Sequence, residues 1–253
     1  PYNMDYYPEF MAKRCNFPVG DKETQVARWE DIEAATKQEL PDLTGRNCVG
    51  GVDYAQTNDF VVVGLTFRVD GIFYHISHTF VCSRSRDLPG IKAPLKKWEA
   101  QGDLEFVDDV EIPPELVVDW FVKMGQVYNI LMIALDDFRF PFLHTAFARE
   151  GFDAHDRKNI FLVRPSNIMK VSPIINRVFL THTIVFGDHP IMRWYTNNTK
   201  KIMDNKGNVT YGKIERNYRK NDGFMAFVHS MVIVDEIPEE IDYGNINFDV
   251  FSY

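Results

Sequence analysis

VGGVDYAQTNDFVVVGLTF, residues 49–67, is the stretch that decides the fold. A short apolar run leads to Asp53, and the β-branched run at residues 60–67 follows after a polar AQTND segment, so the pattern predicts two strands joined by a turn. Gly50 and Gly51 allow another backbone to approach the first strand closely. A carboxylate at the end of a buried strand is costly to desolvate unless a cation or hydrogen-bond donors lie beside it. Asp53 therefore needs a partner, either backbone N–H groups of the turn or a metal ion.

Length and composition limit the class of protein. At 253 residues the chain is long enough to bury a large core, and we expect one α/β domain with additions. The net charge of −8 and the pI near 5.4 argue against a generally basic nucleic-acid binder. They do not exclude a nuclease whose carboxylates are offset by metal ions.

Cysteine usage and the absence of targeting signals suggest a cellular setting. Cys15, Cys48 and Cys82 are too scattered for a disulfide framework or a zinc site, which fits a reducing cytosol. No apolar run reaches the length of a membrane span, and no signal peptide opens the chain. Because the first residue is Pro1, we expect the chain to be a fragment of a longer protein.

Two more strands follow the first, which we predict at residues 48–54. Residues 60–69 and 72–82 both have strand patterns. The Asp70-Gly71 pair between them is a strong hairpin signal. We therefore expect the second and third strands to be antiparallel neighbours.

A helix and a buried strand come next. Pro113 and Pro114 open a helical pattern, and the continuous apolar run at residues 130–135 suits a strand buried on both faces and reached by a parallel crossover. Asp136 and Asp137 follow at its carboxyl end, which is where sites form in open α/β sheets. The helical residues that we expect to face the core are Leu116, Trp120, Met124 and Val127.

The remaining patterns complete the domain. We expect helices at residues 88–101, 140–150, 166–180 and 220–234, a strand at 160–163, a strand-turn-helix unit at 181–195 and a hairpin at 200–214. This is the order of elements in a ribonuclease H-like domain: three antiparallel strands, then a helix, a parallel strand, a helix, a strand and a closing helix. The predicted fold is thus α/β, with a mixed sheet of three antiparallel strands plus parallel strands, flanked by helices and carrying an added β-hairpin.

That order brings three carboxylates together. The first and fourth strands of such a domain are neighbours, so Asp53 and Asp136 would project from adjacent strand ends, and Asp222 would approach from the first turn of the last helix. Two Mg²⁺ or Mn²⁺ ions about 3.5 to 4 Å apart need shared hard oxygen ligands of this kind for phosphodiester cleavage.

Four short motifs also resemble a known family. GGVDYAQTNDF, ALDDFRF, GDHPIMRW and RNYRKNDGFMAFVHSM look like the nuclease half of the large terminase subunits of tailed bacteriophages. The resemblance runs from the EFMAKRCNFP stretch to Val234, and its specificity comes from the order and spacing of the motifs. It implies a ribonuclease H-like two-metal-ion endonuclease, a phosphodiester hydrolase that cuts concatemeric double-stranded DNA during packaging.

Carried over by position, the resemblance implies roles for four acids. Asp53 matches the first-strand acid, Asp136 the fourth-strand acid and Asp222 the helix acid. Asp59 matches an auxiliary acidic position near the first metal. Some relatives pair two acids at the helix position, whereas here Asn221 precedes Asp222.

The resemblance also implies a setting. Residues 1–46 would be a linker from a missing N-terminal ATPase domain of the same full-length chain, residues 47–237 the nuclease domain and residues 238–253 a tail. The implied cofactors are two divalent cations, Mg²⁺ or Mn²⁺. The implied partners are double-stranded DNA, the terminase small subunit and the portal protein, with no membrane. The implied location is the host cell cytoplasm, for a viral protein that is not in the mature virion.

A group of cations precedes the last helix and is a candidate for phosphate contact. The alternative is a solvated charged face; we favour DNA contact slightly because the group abuts Asp222. The residues, called here the hairpin cations, are Lys200, Lys201, Lys213, Arg216, Arg219 and Lys220.

Two other function classes stay open. The same fold could serve a junction resolvase or a ribonuclease, and the acids could be structural in a non-catalytic module that docks on the portal or motor. Residues 207–213, GNVTYGK, satisfy GxxxxGK but lack the following Ser or Thr and the strand-to-helix context, so we reject a phosphate-binding loop. His75 and His78 are expected to be structural, because alternation along a strand puts them on opposite faces.

Overall fold

The computed structural model describes residues 24–55, 60–109, 111–155, 158–215 and 218–238, in which a mixed sheet carries helices on both faces. Its strands are β1 (Asn47–Asp53), β2 (Val61–Val69), β3 (Ile72–Cys82), β4 (Leu104–Val107), β5 (Asn129–Asp136), β6 (Ile160–Val163), β7 (Ile184–Val185), β8 (Thr199–Met203) and β9 (Val209–Lys213). Its α-helices are α1 (Trp29–Ala34), α2 (Leu95–Gln101), α3 (Pro114–Met124), α4 (Phe140–Arg149), α5 (Pro165–Leu180), α6 (Pro190–Asn197) and α7 (Asp222–Val232). Single 3₁₀ turns lie at Leu88–Gly90 and Val234–Glu236.

The sheet has the strand order β4-β3-β2-β1-β5-β6, with β7 beside the start of β3. β1 is antiparallel to β2 and parallel to β5, and β2 is antiparallel to β3. β8 and β9 form a separate antiparallel hairpin. The predicted ribonuclease H-like mixed sheet with an added hairpin is therefore confirmed.

The β2–β3 connection follows the chemistry of its two turn residues. Asp70 and Gly71 have φ of 51° and 76°, so both adopt the left-handed conformation that a two-residue type I′ hairpin requires. This turn fixes the register from Val69–Ile72 through Val61–Phe80.

Two glycines in β1 allow helices to pack tightly on both faces of the sheet. A Cβ on Gly50 would lie 2.7 Å from the Phe121 ring of α3. A Cβ on Gly51 would lie 2.0 Å from the carbonyl oxygen of Ala226, in the backbone of α7. The strand that carries Asp53 is thus clamped between α3 and α7.

The predicted inner face of α3 is only partly right. Leu116, Trp120 and Met124 are half-buried and pack against the core, but they are not its most buried residues. Val117, Val118 and Phe121 are the buried residues, whereas Val127 lies beyond the helix and is 41% exposed. Apolar residues occupy two adjoining stripes of this helix, so periodicity alone did not decide between them. The space above Gly50 selects the stripe that carries Phe121.

The residues before the sheet pack with it. Val26 and Ala35 belong to the same buried cluster as Val49 and the inner face of α7. The division of the chain at residue 46 stays a prediction. Within the described residues, no helix is long and apolar enough to cross a bilayer.

Candidate active site

The carboxyl ends of β1 and β5 carry two of the predicted acids side by side. Val52 pairs with Leu135 in the parallel register, and Asp53 and Asp136 are the next and last residues of their strands. Parallel neighbours lie about 4.8 Å apart, so the two carboxylates share one edge of the sheet. Asp136 Oδ1 accepts a hydrogen bond from the Phe138 backbone N–H at 2.9 Å, so Asp136 also caps the turn that follows.

The third predicted acid begins α7. Asp222 is 3% exposed, and Lys213 Nζ on β9 lies 3.4 Å from its Oδ1. Gly223 leaves room for the Tyr195 ring, because a Cβ there would lie 2.2 Å from a ring carbon. The hairpin and α6 thereby both contact the start of α7.

Tyr195 connects Asp222 to Asp53. Its hydroxyl lies 3.1 Å from Thr79 Oγ1 on β3. Thr79 pairs with Val62 of β2, and Val62 in turn pairs with Asp53 of β1. Burial, followed by the negative charge of Asp222 and then that of Asp53, holds the pKa of Tyr195 well above its usual value. The phenol is therefore neutral and lies within electrostatic reach of both carboxylates.

His229 is a second residue of this region that the sequence did not single out. Its Nδ1 donates a hydrogen bond to the Val52 carbonyl at 2.6 Å. Burial lowers the pKa of His229, and this hydrogen bond and then the charge of Asp136 oppose that shift. His229 follows Asp222 by seven residues, or two helical turns, so helical spacing from Asp222 was the available signal. Its contact holds the end of β1 against α7.

The structure brings the three acids to one region without closing them into a metal-binding group. Among the residues that the structure describes, no three His, Cys, Asp or Glu side chains are arranged to hold a metal ion. Carboxylates repel one another when no cation separates them, and the Lys213 ammonium lies beside Asp222. The catalytic and metal-binding assignments of Asp53, Asp136 and Asp222 stay predictions.

Two predicted residues cannot be placed. Asp59, the auxiliary metal ligand, and Arg216, one of the hairpin cations, lie outside the described residues. Asp137, next to Asp136, has its Oδ2 3.0 Å from Arg164 Nε at the end of β6.

The position of Lys220, one of the hairpin cations, contradicts its predicted role as a contact to DNA phosphate. Lys220 is fully buried, and its Nζ donates to Asp87 Oδ2 at 2.7 Å, so it cannot reach a phosphate in this structure. Asn198 Nδ2 donates to the Lys220 carbonyl at 3.0 Å. Lys220, two residues before α7, is thus enclosed by its surroundings, which a run of charges in sequence does not reveal. The other described members, all half-buried, are Lys200, Lys201, Lys213 and Arg219.

The other motifs are structural, as expected. His75 is fully buried and lies 2.8 Å from Thr66 Oγ1, and His78 lies 3.9 Å from Glu105 on the other face. The GNVTYGK stretch contributes strand β9 and opens no helix, which confirms that it is not a phosphate-binding loop.

Comparison with solved structures finds the same fold in phage proteins. The HK97 bacteriophage large terminase superposes with a TM-score of 0.72 at 17% identity, over 90% of this chain and 48% of that one. The large terminase nuclease from thermophilic phage G20c gives 0.54 at 9% identity, over 82% of this chain and 97% of that one. The same nuclease with bound magnesium gives 0.53 at 8% identity, over 82% and 96%. The chain therefore spans about half the length of the HK97 protein.

Sequence comparison assigns the family. A search of curated proteins found no match. The family model for the terminase large subunit, endonuclease domain, matches residues 3–236, which is nearly the whole chain. The motifs quoted above and the sheet that carries their acids lie inside that match, and the chain belongs to the terminase large subunit endonuclease domain family.

Proposed function

We propose that this chain is a metal-dependent DNA endonuclease that cuts concatemeric double-stranded DNA by two-metal-ion hydrolysis during viral genome packaging. The observation that carries the proposal is the placement of Asp53 and Asp136 at adjacent ends of parallel strands, with Asp222 close by on α7. In open α/β sheets this edge is the usual place for a site.

The residues fit hard divalent cations. Three carboxylates supply the oxygen ligands that Mg²⁺ and Mn²⁺ prefer. Asp222 is almost fully buried, and the ammonium of Lys213 beside it indicates a position that favours positive charge. The G20c nuclease has been solved with bound magnesium and with bound cobalt. We infer that Asp53, Asp136 and Asp222 would hold two Mg²⁺ or Mn²⁺ ions, with Asp59 as an auxiliary ligand.

The bound ions would supply an activated water and would stabilise the attacking and leaving oxygens of the phosphodiester. The protein's own groups position the site. His229 holds the end of β1 in place through the Val52 carbonyl. Tyr195 fills the space between β3 and Asp222 with a neutral ring that excludes water. Lys213 places a positive charge beside Asp222, where it can hold a phosphate oxygen of the substrate.

The whole-protein setting is part of the same proposal. An ATPase domain would precede this domain in the full-length protein, residues 1–46 would link the two, and the terminase small subunit and portal protein would be partners. The protein would act in the cytoplasm of the infected cell and be absent from the mature virion.

A plasmid-nicking assay beside a Mn²⁺-binding titration tests the proposal. We expect the parent chain to bind Mn²⁺ and nick supercoiled plasmid, and Asp53→Asn and Asp222→Asn to lose both. Asp119→Asn, which removes an exposed carboxylate from α3, is the charge-matched control and should match the parent. A parent that binds no divalent ion, or an Asp53→Asn variant that cuts at the parental rate, would refute the proposal. Offering a four-way junction and an RNA–DNA hybrid in the same assay separates an endonuclease on duplex DNA from a resolvase or ribonuclease.

A further inference from the structure

The segment at residues 83–97, called here the basic segment, concentrates positive charge in an acidic chain. It holds five cations and one carboxylate, Asp87, whereas the whole chain has a net charge of −8. The five cations, all exposed, are Arg84, Arg86, Lys92, Lys96 and Lys97. The segment does not stand out in the sequence, because its cations are spread over a loop and the first turn of α2.

The basic segment starts at the edge of the sheet that carries the acids. β1 and β3 both run antiparallel to β2, which lies between them, so the end of β3 and the end of β1 share an edge. Two strand spacings, roughly 10 Å, separate the two strands sideways, and β3 runs three residues, about 10 Å, past Thr79, the residue level with Asp53. One turn of duplex DNA measures about 34 Å along its axis. A duplex with one phosphate at Asp53 therefore extends over the basic segment when its axis runs across the strands.

Two contacts fix the basic segment to the start of α7. Asp87 Oδ2 lies 2.7 Å from Lys220 Nζ, and Lys220 is fully buried. Gly90 lies so close to Tyr218 that a Cβ there would be 2.0 Å from a ring carbon. Lys220 and Tyr218 lie two and four residues before Asp222, so the position of the segment relative to that acid is set by the fold.

Three of the five cations are available to a ligand. Arg84 pairs with Asp108 at 3.3 Å and Lys96 with Glu99 at 3.0 Å, and such exposed pairs contribute little and open readily. Within the described part of the chain, the cations that form no ion pair are Arg86, Lys92 and Lys97. The only carboxylate of the segment itself, Asp87, faces Lys220 rather than these side chains.

We infer that the basic segment is a DNA-binding surface which holds backbone phosphates of the duplex on the β3 side of the cleavage site. The inference rests on the proposed function and extends it to residues outside the hairpin cations. Contacts from Arg and Lys to phosphate are independent of base sequence. The segment therefore fixes where the duplex lies relative to Asp222, without selecting the sequence that is cut.

The test measures how DNA binding depends on salt. Binding of the parent chain and its variants to a short labelled duplex is followed by fluorescence anisotropy in EDTA over a range of KCl concentrations. Each phosphate contact contributes about 0.9 to the slope of log K against log salt, so Arg86→Gln/Lys92→Gln should reduce the slope by about 1.8. The charge-matched control, Lys123→Gln/Arg177→Gln, removes one Arg and one Lys that are exposed near the opposite edge of the sheet and should keep the parental slope.

Two further variants keep the result interpretable. Arg86→Lys/Lys92→Arg retains the charges and should keep at least most of the slope, and Lys97→Gln alone should reduce it by about 0.9. All these side chains are exposed, so melting temperatures should equal that of the parent.

The outcomes separate this inference from the proposed function. If the parent nicks plasmid in Mn²⁺ but Arg86→Gln/Lys92→Gln keeps the parental slope, the surface is wrong and the nuclease stands. If the slope falls as expected but the parent never cuts DNA with any divalent ion, the surface stands and the nuclease proposal is wrong. A parent chain that does not bind duplex DNA at all overturns the inference, and an acidic protein partner then becomes the better occupant of the segment.

Discussion

The buried ion pair between Lys220 and Asp87 makes a sharp prediction about stability. Lys220 has a fully buried side chain, and Asp87 keeps 27% of its side chain exposed. Replacing Asp87 with Asn keeps the shape and removes the negative charge, which leaves the Lys220 ammonium enclosed without it. Replacing Lys220 with Met removes the buried charge and leaves Asp87 within reach of water. The two substitutions should therefore differ in cost.

The size of the difference follows from the geometry. At the observed 2.7 Å, two unit charges attract by about 6 kcal/mol at an effective dielectric constant of about 20, and desolvation of the ammonium offsets most of this. Removing one partner of a buried pair typically costs about 3 to 5 kcal/mol. We expect about 3 kcal/mol for Asp87→Asn and about half of that for Lys220→Met, since water can solvate Asp87. The double variant should lie close to Lys220→Met, because the buried charge is then gone.

Urea and thermal unfolding measure these values. A loss of about 3 kcal/mol corresponds to a fall in Tm of about 6 to 12 °C for a chain of this size. Asp108→Asn is the matched control, because Asp108 pairs with Arg84 in a nearby exposed ion pair and should cost less than about 1 kcal/mol. If Asp87→Asn unfolds like Asp108→Asn, the pair does not hold the start of α7 and the reasoning fails.

Three shorter predictions concern the sheet and its carboxylates. Gly51→Ala should destabilise the protein by about 3 kcal/mol in a urea titration, because its Cβ would collide with the Ala226 carbonyl, which cannot rotate away; parental stability would contradict this. Asp53→Asn should melt no lower than the parent in EDTA, because the substitution relieves carboxylate repulsion. It should also lose the rise in Tm that Mn²⁺ gives the parent. An equal rise in Tm would exclude Asp53 as a metal ligand. Burial lowers the pKa of His75 to about 3, so this side chain binds fewer protons in the folded protein than in the unfolded protein. The free energy of unfolding should therefore fall as the pH drops from about 6.5 toward 3. His75→Gln should fall less steeply in a pH series of urea titrations, and an unchanged slope would refute the assignment.

Sequence predicted those parts of the fold that short-range chemistry determines. The Asp70-Gly71 turn and the apolar run before Asp136 each specify a local conformation, and the glycines of β1 allow close approach of other elements; the structure follows all three. The pairing of β1 with β5 then follows from the crossover through α3. Adjacent placement of Asp53 and Asp136 was predictable for the same reason.

What sequence missed depends on packing between distant segments. Lys220 looks exposed in a run of polar residues, but its environment is made by Asp87, more than a hundred residues earlier. Tyr195 and His229 look like ordinary core residues, and only their contacts with β3 and β1 place them beside the acids. The periodicity of α3 offered two apolar stripes, and the choice was made by Gly50 on another element.

The tight packing of the Ala226 backbone against Gly51 also limits how the acids can move. Side chains on one face of a strand recur every second residue, about 6.6 Å apart, so a helix that slid along β1 would drive the Ala226 carbonyl into Val49 or Asp53. The close contact between Gly51 and Ala226 therefore opposes translation of α7 along β1. Rotation of the short backbone stretch that enters the helix at Asn221 would move Asp222 relative to Asp53 without such a slide. The packing at Gly51 therefore sets the position of α7 along β1, and with it the height of Asp222 above the sheet.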